Sequence, residues 1–111
     1  MSDWLHKVNH FFKDPEIKEV LINGTRALIV YKDVQDSIHD SIFSDVDLMC
    51  SAMQDFAFGL GYRLDPIEPS VGGMTADGNF RWHCTIPPAS GRDVLFSLRR
   101  HQFNQLEIAD Y

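Results

Sequence analysis

The chain has 111 residues, of which 44% are hydrophobic, and a formal net charge of −6. A chain of this length forms one ordinary domain and buries roughly two-thirds of its unfolded surface, so it needs no disulfide or metal to fold. No apolar run approaches the ~20 residues of a membrane-spanning helix. The first residues carry an acid and lack an apolar run, so we expect no secretory signal, and the acidic balance argues against nucleic-acid binding.

The charge is distributed unevenly along the sequence. Residues 1–77 hold thirteen acids and six bases, whereas residues 78–105 hold four arginines and a single aspartate. Arginine binds phosphate and carboxylate groups through parallel N–H donors, so this segment is the candidate for an anion contact. A solvated basic surface is the plain alternative.

The first predicted element is an amphipathic helix over residues 3–13, ended by Asp14-Pro15 because a residue before proline is steered out of the α region. Its apolar residues share one helical face: Trp4, Val8, Phe11 and Phe12. We expect this stripe to pack on its own domain, and a docking face for a partner is the alternative.

Residues 19–31 predict a β-hairpin. Asn23-Gly24 stands between two apolar runs and is typical of the centre of a type I′ turn, where both residues need positive φ. Residues 32–43 are polar with apolar residues spaced through them, which predicts a turn and a third strand.

A central helix is predicted next. The sequence Ser44 to Asp47 resembles a capping box, and helical spacing continues to the glycines at Gly59 and Gly61. We expect the apolar side of this helix to pack on the sheet: Met49, Met53, Phe56 and Leu60.

The last part of the chain predicts three strands after a proline-containing loop over residues 62–71. Strands are expected at residues 72–76, 80–86 and 94–98, with a turn at Asp77-Gly78 between the first two. The fold class is therefore α+β: a mostly antiparallel sheet with an N-terminal helix and one central helix packed on it.

Several familiar catalytic motifs are absent from the sequence. It contains no GxxxxGK[ST], GxGxxG, HExxH or GxSxG, so the chain has no phosphate loop for ATP hydrolysis and is not predicted to be an enzyme by itself.

His6 and His10 have zinc-chelating spacing but lack further ligands nearby, which favours surface histidines and no metal site. His83 and Cys84 are neighbours on a predicted strand and point to opposite faces, so they form no catalytic pair. Together with Cys50, Cys84 is expected to be a reduced, buried thiol.

Arginine placement is the more specific signal. Arg81 opens the strand after the Asp77-Gly78 turn, and Arg99-Arg100 close the last strand. If these strands pair, the three arginines converge on one edge of the sheet and bind an anion. Exposed sheet-edge arginines without a ligand are the alternative of equal weight.

Four stretches of the sequence, in this order, resemble one protein family. They are Asp14 to Gly24, Asp77-Gly78-Asn79-Phe80-Arg81, Ile86-Pro87-Pro88 and Ser97-Leu98-Arg99-Arg100. Together they are similar to the N-terminal domain of Flp/Tad-type pilus-assembly ATPases (CpaF-like), within the type II/type IV secretion ATPase superfamily. The resemblance covers roughly residues 14–103.

This resemblance implies the N-terminal regulatory and nucleotide-closing domain of a hexameric secretion or pilus-assembly ATPase, a domain that is not catalytic alone. The parent motor would use ATP and Mg, and this chain by itself is expected to hold no cofactor. The implied division is an N-terminal helix over 1–13, the secretion-ATPase N-terminal domain over 14–103, and a linker or tail over 104–111. Arg81, Arg99 and Arg100 are the implied contacts to nucleotide phosphates.

The implied partners are a RecA-like ATPase domain, neighbouring subunits and inner-membrane platform proteins of the secretion or pilus machinery, without nucleic acid. The implied location is the bacterial cytoplasm, at the periphery of the inner membrane. Two other hypotheses stay open: a stand-alone protein-interaction module that keeps this fold without a motor domain, and an anion-binding domain unrelated to motors.

Overall fold

The structure is a computed structural model that describes residues 3–32, 35–87, 91 and 93–101. The predicted α+β class is confirmed, and the predicted tail over 104–111 lies outside the described residues. The elements in chain order are α1 (Asp3–Phe11), β1 (Ile17–Asn23), β2 (Ala27–Lys32), β3 (Ser37–His39), α2 (Val46–Gly59), β4 (Ser70–Met74), β5 (Phe80–Thr85) and β6 (Leu95–Arg100).

The strands form a six-stranded sheet in the order β3-β2-β1-β6-β5-β4, with antiparallel pairing between all neighbours. The N-terminal hairpin and the three C-terminal strands therefore meet where β1 pairs with β6, in the middle of the sheet. No helix among the described residues is long and apolar enough to cross a membrane.

Both helices pack on one face of this sheet. Alternate strand residues point to that face, because successive side chains of a β-strand alternate in direction. The indole ring of Trp4 in α1 lies 5.1 Å from the ring of Phe96, and Phe56 in α2 lies 5.1 Å from Trp82. The buried strand residues on this face are Val20, Ile22, Leu28, Val30, Trp82, Cys84, Phe96 and Leu98.

The helix ends correct two sequence predictions. The α-helical part of α1 stops at Phe11, two residues early, and the chain continues in tighter turns to Asp14. Helix α2 is capped by Asp45, whose carboxylate accepts the Asp47 N–H at 3.0 Å, so the capping box predicted from Ser44 is wrong. The predicted stop is confirmed, since Gly61 has φ +89° and its N–H bonds to the carbonyl oxygen of residue 58.

The hairpin forms between β1 and β2, but its turn differs from the prediction. Asn23 pairs with Ala27 as the last residue of β1, and only Gly24 has positive φ, so the turn is not type I′. The Asp93 carboxylate explains the difference, because it accepts hydrogen bonds from the N–H and the hydroxyl of Thr25 and so fixes the loop from outside the hairpin.

The C-terminal strands follow the predicted order. Strand β4 begins at Ser70, two residues before the predicted start, and ends at Met74. The predicted Asp77-Gly78 turn is confirmed, with φ +75° at Gly78 and a hydrogen bond from its N–H to the Thr75 carbonyl oxygen.

Candidate functional site

The sheet has a second face, which no helix of the described part of the chain covers. We call it the open face. It carries the alternate residues that point away from the core, and they are more polar on β5 and β6 than on β2 and β3. Its residues include Leu21, Ile29, Ile38, Arg81, His83, Leu95, Ser97 and Arg99.

Arg81 and Arg99 form an arginine pair on the open face. The register of β5 and β6 places them directly opposite each other, which puts their Cβ atoms about 4.5–5.5 Å apart. Both side chains are exposed, and neither has an ion-pair partner within 4.0 Å among the residues that the structure describes. Like charges directly opposite each other on two strands are destabilising. An anion bound between the two guanidinium groups would therefore relieve their repulsion.

Glu19 lies next to the arginine pair, on the β1 side of Arg99. It lies opposite Arg99 in the pairing of β1 with β6 and lines the same shallow cavity of about 450 Å³. Its carboxylate is not within ion-pairing distance of either guanidinium, so it lowers the local positive charge without occupying the arginine donors. The cavity therefore keeps a positive balance in a protein whose net charge is −6.

Arg100 lies on the helix-covered face, apart from the arginine pair. Its guanidinium donates hydrogen bonds of 3.0–3.1 Å to the carbonyl oxygens of Phe12, Asp14 and Ile17 and stacks over the ring of Phe12, at 5.1 Å from its centroid. These carbonyls follow the last turn of α1, where backbone acceptors lack helical partners and a cation is favourable. Arg100 thus ties the end of α1 to β6.

The charge of Arg100 also affects a nearby acid. A hydrogen bond from the Glu16 N–H, a hydrogen bond and ion pair with Lys32, and the positive charge of Arg100 together hold the pKa of the Asp14 carboxyl below its usual value. Arg100 is therefore part of the polar contacts around the α1–β1 connection.

The structure brings together two of the three arginines predicted to converge, and it places them on interior strands rather than on a sheet edge.

Two polar residues that the sequence analysis did not select lie beside the arginine pair. His83 follows Arg81 on the same face of β5, and it faces Ser97, which precedes Arg99 on β6. The His83 Nε2 atom is 3.1 Å from the Ser70 hydroxyl, which in turn is 3.2 Å from the hydroxyl of Thr85. The period-two patterns Arg81-x-His83 and Ser97-x-Arg99 are the sequence signal that could have identified them.

The other candidate residues are not brought into a reactive arrangement. His83 is exposed and Cys84 buried on opposite faces of β5, as predicted, and burial with the nearby Cys50 raises the pKa of the Cys84 thiol to about 12. Cys50 is half-buried rather than buried. His6 and His10 are exposed, and within the described ranges no three His, Cys, Asp or Glu side chains gather closely enough to hold a metal ion.

Comparison with known proteins finds a likeness in fold. No family model matches the chain, and a search of curated proteins finds no match. Among solved structures, the fold is similar to the VirB11 ATPase from the Brucella suis type IV secretion system in complex with sulphate, with a TM-score of 0.76 and 16% sequence identity. The match covers 96% of this chain and 36% of that chain, so this chain spans about a third of that ATPase's length.

Proposed function

We propose that this chain is the N-terminal domain of a secretion-type ATPase, and that its arginine pair contacts the phosphates of a nucleotide bound next to the open face. The observation that carries the proposal is the direct pairing of Arg81 with Arg99, exposed and without an ion-pair partner among the described residues. The fold likeness to the VirB11 ATPase supports the assignment to a secretion-type ATPase.

The chemistry of the pair fits the charge changes of phosphoryl transfer. A guanidinium presents two parallel N–H donors to a phosphate and stays charged at every physiological pH. Placed beside a phosphate that gains charge in the transition state, it stabilises that state more than the ground state. The pairing of β5 with β6 fixes the backbone positions of both arginines before the nucleotide arrives.

The phosphate loop and the magnesium ligands have to come from elsewhere, since the chain has no GxxxxGK[ST] motif. In this proposal a RecA-like domain supplies them, ATP and Mg bind between the two domains, and neighbouring subunits of a hexamer complete the site. The pattern of residues 14–24, 77–81 and 97–100 points to the pilus-assembly branch (CpaF-like). The motor then works on the cytoplasmic side of the bacterial inner membrane, against its platform proteins.

Arg100 is left out of the nucleotide contact. Its guanidinium already bonds to three backbone carbonyls on the opposite face of the sheet. Reaching a ligand on the open face would require breaking all three bonds, so we assign Arg100 to the fold.

The test is ATP hydrolysis by the parent motor that contains this domain. Arg81→Ala and Arg99→Ala should each slow phosphate release by a large factor, up to the ~10³-fold loss seen when an arginine finger is removed. Arg26→Ala is the control, because Arg26 is also exposed but lies in the β1–β2 turn, and it should leave turnover nearly unchanged. Parental rates and normal assembly in both open-face variants would refute the nucleotide contact.

One simpler measurement tests the proposal on the isolated chain, and a second separates it from a stand-alone interaction module. The purified 111-residue chain should release no phosphate from ATP, and turnover that is lost on mutating one of its own residues would contradict the proposal. A reading frame that continues into GxxxxGK[ST] supports the motor domain, whereas a stop codon after Tyr111 supports the stand-alone module.

A further inference from the structure

The open face has a second row of polar groups next to the arginine pair. The pairing of β5 with β6 puts His83 opposite Ser97, one same-face position along both strands from Arg81 and Arg99. Residues two apart on a strand are separated by about 6.5–7 Å, so the two rows lie side by side along the strands. All four residues line the same cavity.

The His83 ring is positioned by its neighbours. Its Nε2 atom is 3.1 Å from the Ser70 hydroxyl on the edge strand β4. When Ser70 donates to Nε2, the ring proton is on Nδ1 and is free to be donated to a ligand. Gly72 lies directly opposite His83, and a Cβ atom at Gly72 would lie 3.0 Å from the ring's Cδ2 atom and 2.9 Å from the Trp82 carbonyl oxygen, so the glycine leaves room for the ring.

We infer that the open face binds a chain of linked phosphates rather than a single phosphate, with Arg81 and Arg99 at one end and His83 and Ser97 at the other. The inference rests on the arginine pair of the proposed function and adds the second row as binding residues. A single tetrahedral anion satisfies the two guanidinium groups and leaves the second row unused. Two or three linked phosphates extend along the strands and reach the donors of both rows.

Charge and donor types agree with this ligand. The first row carries two fixed positive charges, and the second row adds a hydroxyl and an imidazole N–H as further donors to phosphate oxygens. Glu19 lies beyond Arg99, on the side of β1, and leaves the side of the cavity towards β4 free of acidic side chains among its lining residues. A carboxylate from a protein partner would use one guanidinium fork and none of the second row.

The test compares three probes on the full 111-residue chain without magnesium at fixed ionic strength: orthophosphate, pyrophosphate and tripolyphosphate. Calorimetric titration should show affinity that rises with phosphate number, by about tenfold from orthophosphate to tripolyphosphate, because further charge-assisted hydrogen bonds form. His83→Ala and Ser97→Ala should each remove most of that gain and leave orthophosphate binding unchanged. Arg81→Ala should weaken the binding of all three probes.

The chain offers a matched control for His83. His39 on β3 is also exposed and its Nε2 atom is 3.0 Å from the Ser37 hydroxyl, but it lies at the far edge of the sheet from the arginine pair. His39→Ala should not change the affinity for any probe. Urea unfolding of each variant verifies that the fold is intact.

The outcomes separate this inference from the proposed function. Equal affinity for the three probes, no binding of any of them, or unchanged tripolyphosphate binding in His83→Ala and Ser97→Ala would overturn the inference. If Arg81→Ala still slows the parent motor in that case, the proposed function survives alone. If the chain discriminates phosphate number as expected but the motor tolerates the arginine variants, the site binds polyphosphate for another purpose and the proposed function fails.

Discussion

The two faces of the sheet consist of the same strands, but alternate residues of each strand have different roles. Residues on one face pack against the helices, and residues on the other face lie at the surface. On the helix-covered face Trp82, Phe96 and Leu98 are buried and carry the packing of both helices. On the open face their immediate neighbours are exposed or half-buried, and all of them except Leu95 are polar. Adjacent residues of one strand can therefore be changed to perturb either stability or binding, and each serves as the control for the other.

Arg99 and Arg100 show the difference most directly. They have the same side chain and neighbouring positions in β6, but Arg99 faces solvent on the open face while Arg100 bonds to three carbonyls under the helices. An arginine-rich sequence therefore does not identify an anion site until the direction of each side chain is known. Substitutions on each face can test whether stability and binding are separated in this way.

Phe56→Ala should give the largest loss of stability. Phe56 is half-buried, but its ring contacts the rings of Trp4, Trp82 and Phe96 at 5.1–5.7 Å, so its removal opens a cavity under α2. We expect a loss of about 3 kcal/mol in the free energy of unfolding, measured by urea melts. Phe58→Ala is the control, since Phe58 is 81% exposed, and it should change stability by less than about 0.5 kcal/mol. A loss below about 1 kcal/mol for Phe56→Ala would contradict its place in the core.

Arg100→Ala should cost less, about 2 kcal/mol, because it leaves part-buried carbonyl oxygens without their charged donor. Arg100→Lys should recover only part of the loss, since one ammonium group cannot reproduce the planar guanidinium contact with three carbonyls and a ring. Urea melts measure both variants. If Arg100→Ala is as stable as the parent chain, the contacts of Arg100 do not stabilise the fold. Arg99 and Arg100 would then not differ in their contribution to stability.

Asp93→Asn should have a smaller, pH-dependent effect. Burial raises the pKa of the Asp93 carboxyl, but hydrogen bonds from Thr25 and Val94 outweigh burial and hold the pKa below its ordinary value of 3.8. A carboxyl with a lowered pKa in the folded state stabilises the fold above pH 3.8 and loses that contribution as pH falls through the lower, folded-state pKa.

The expected loss for Asp93→Asn is about 1 kcal/mol at pH 7, and it should shrink as the pH falls below 3.8. Melts at several pH values test this, with Asp36→Asn as an exposed control. A loss that grows towards low pH would reverse the sign of the linkage and contradict the assigned hydrogen bonds.

The sequence was sufficient for the element order and the fold class, because the apolar periods of both helices and the alternation in β5 and β6 are local properties. The bounds of β4 and the type of the hairpin turn were predicted wrongly. The turn depends on contacts made at a distance, since Thr25 donates hydrogen bonds to the carboxylate of Asp93, 68 residues away in the sequence. Local turn chemistry around Asn23 could not reveal that acceptor.

The candidate site was predicted in part for a similar reason. Arg81 and Arg99 were selected from charge and strand position, and their exact opposition follows from a register that no local pattern encodes. Arg100 was grouped with them because its partners, the carbonyls after α1, are more than 80 residues away. The sequence analysis considered His83 only as a catalytic partner of Cys84 and rejected that role. Its position opposite Ser97 follows from the strand pairing, which the sequence does not show.

The separation of the two faces is tested by comparing Arg99→Ala with Arg100→Ala in two assays on the same chain: urea unfolding and tripolyphosphate binding. Arg99→Ala should keep its stability within about 0.5 kcal/mol and lose most of its affinity. Arg100→Ala should lose about 2 kcal/mol of stability and, under conditions where it is folded, bind as the parent chain does. The reverse pattern, or an equal effect of both variants on binding, would contradict the separation of fold and function between the two faces.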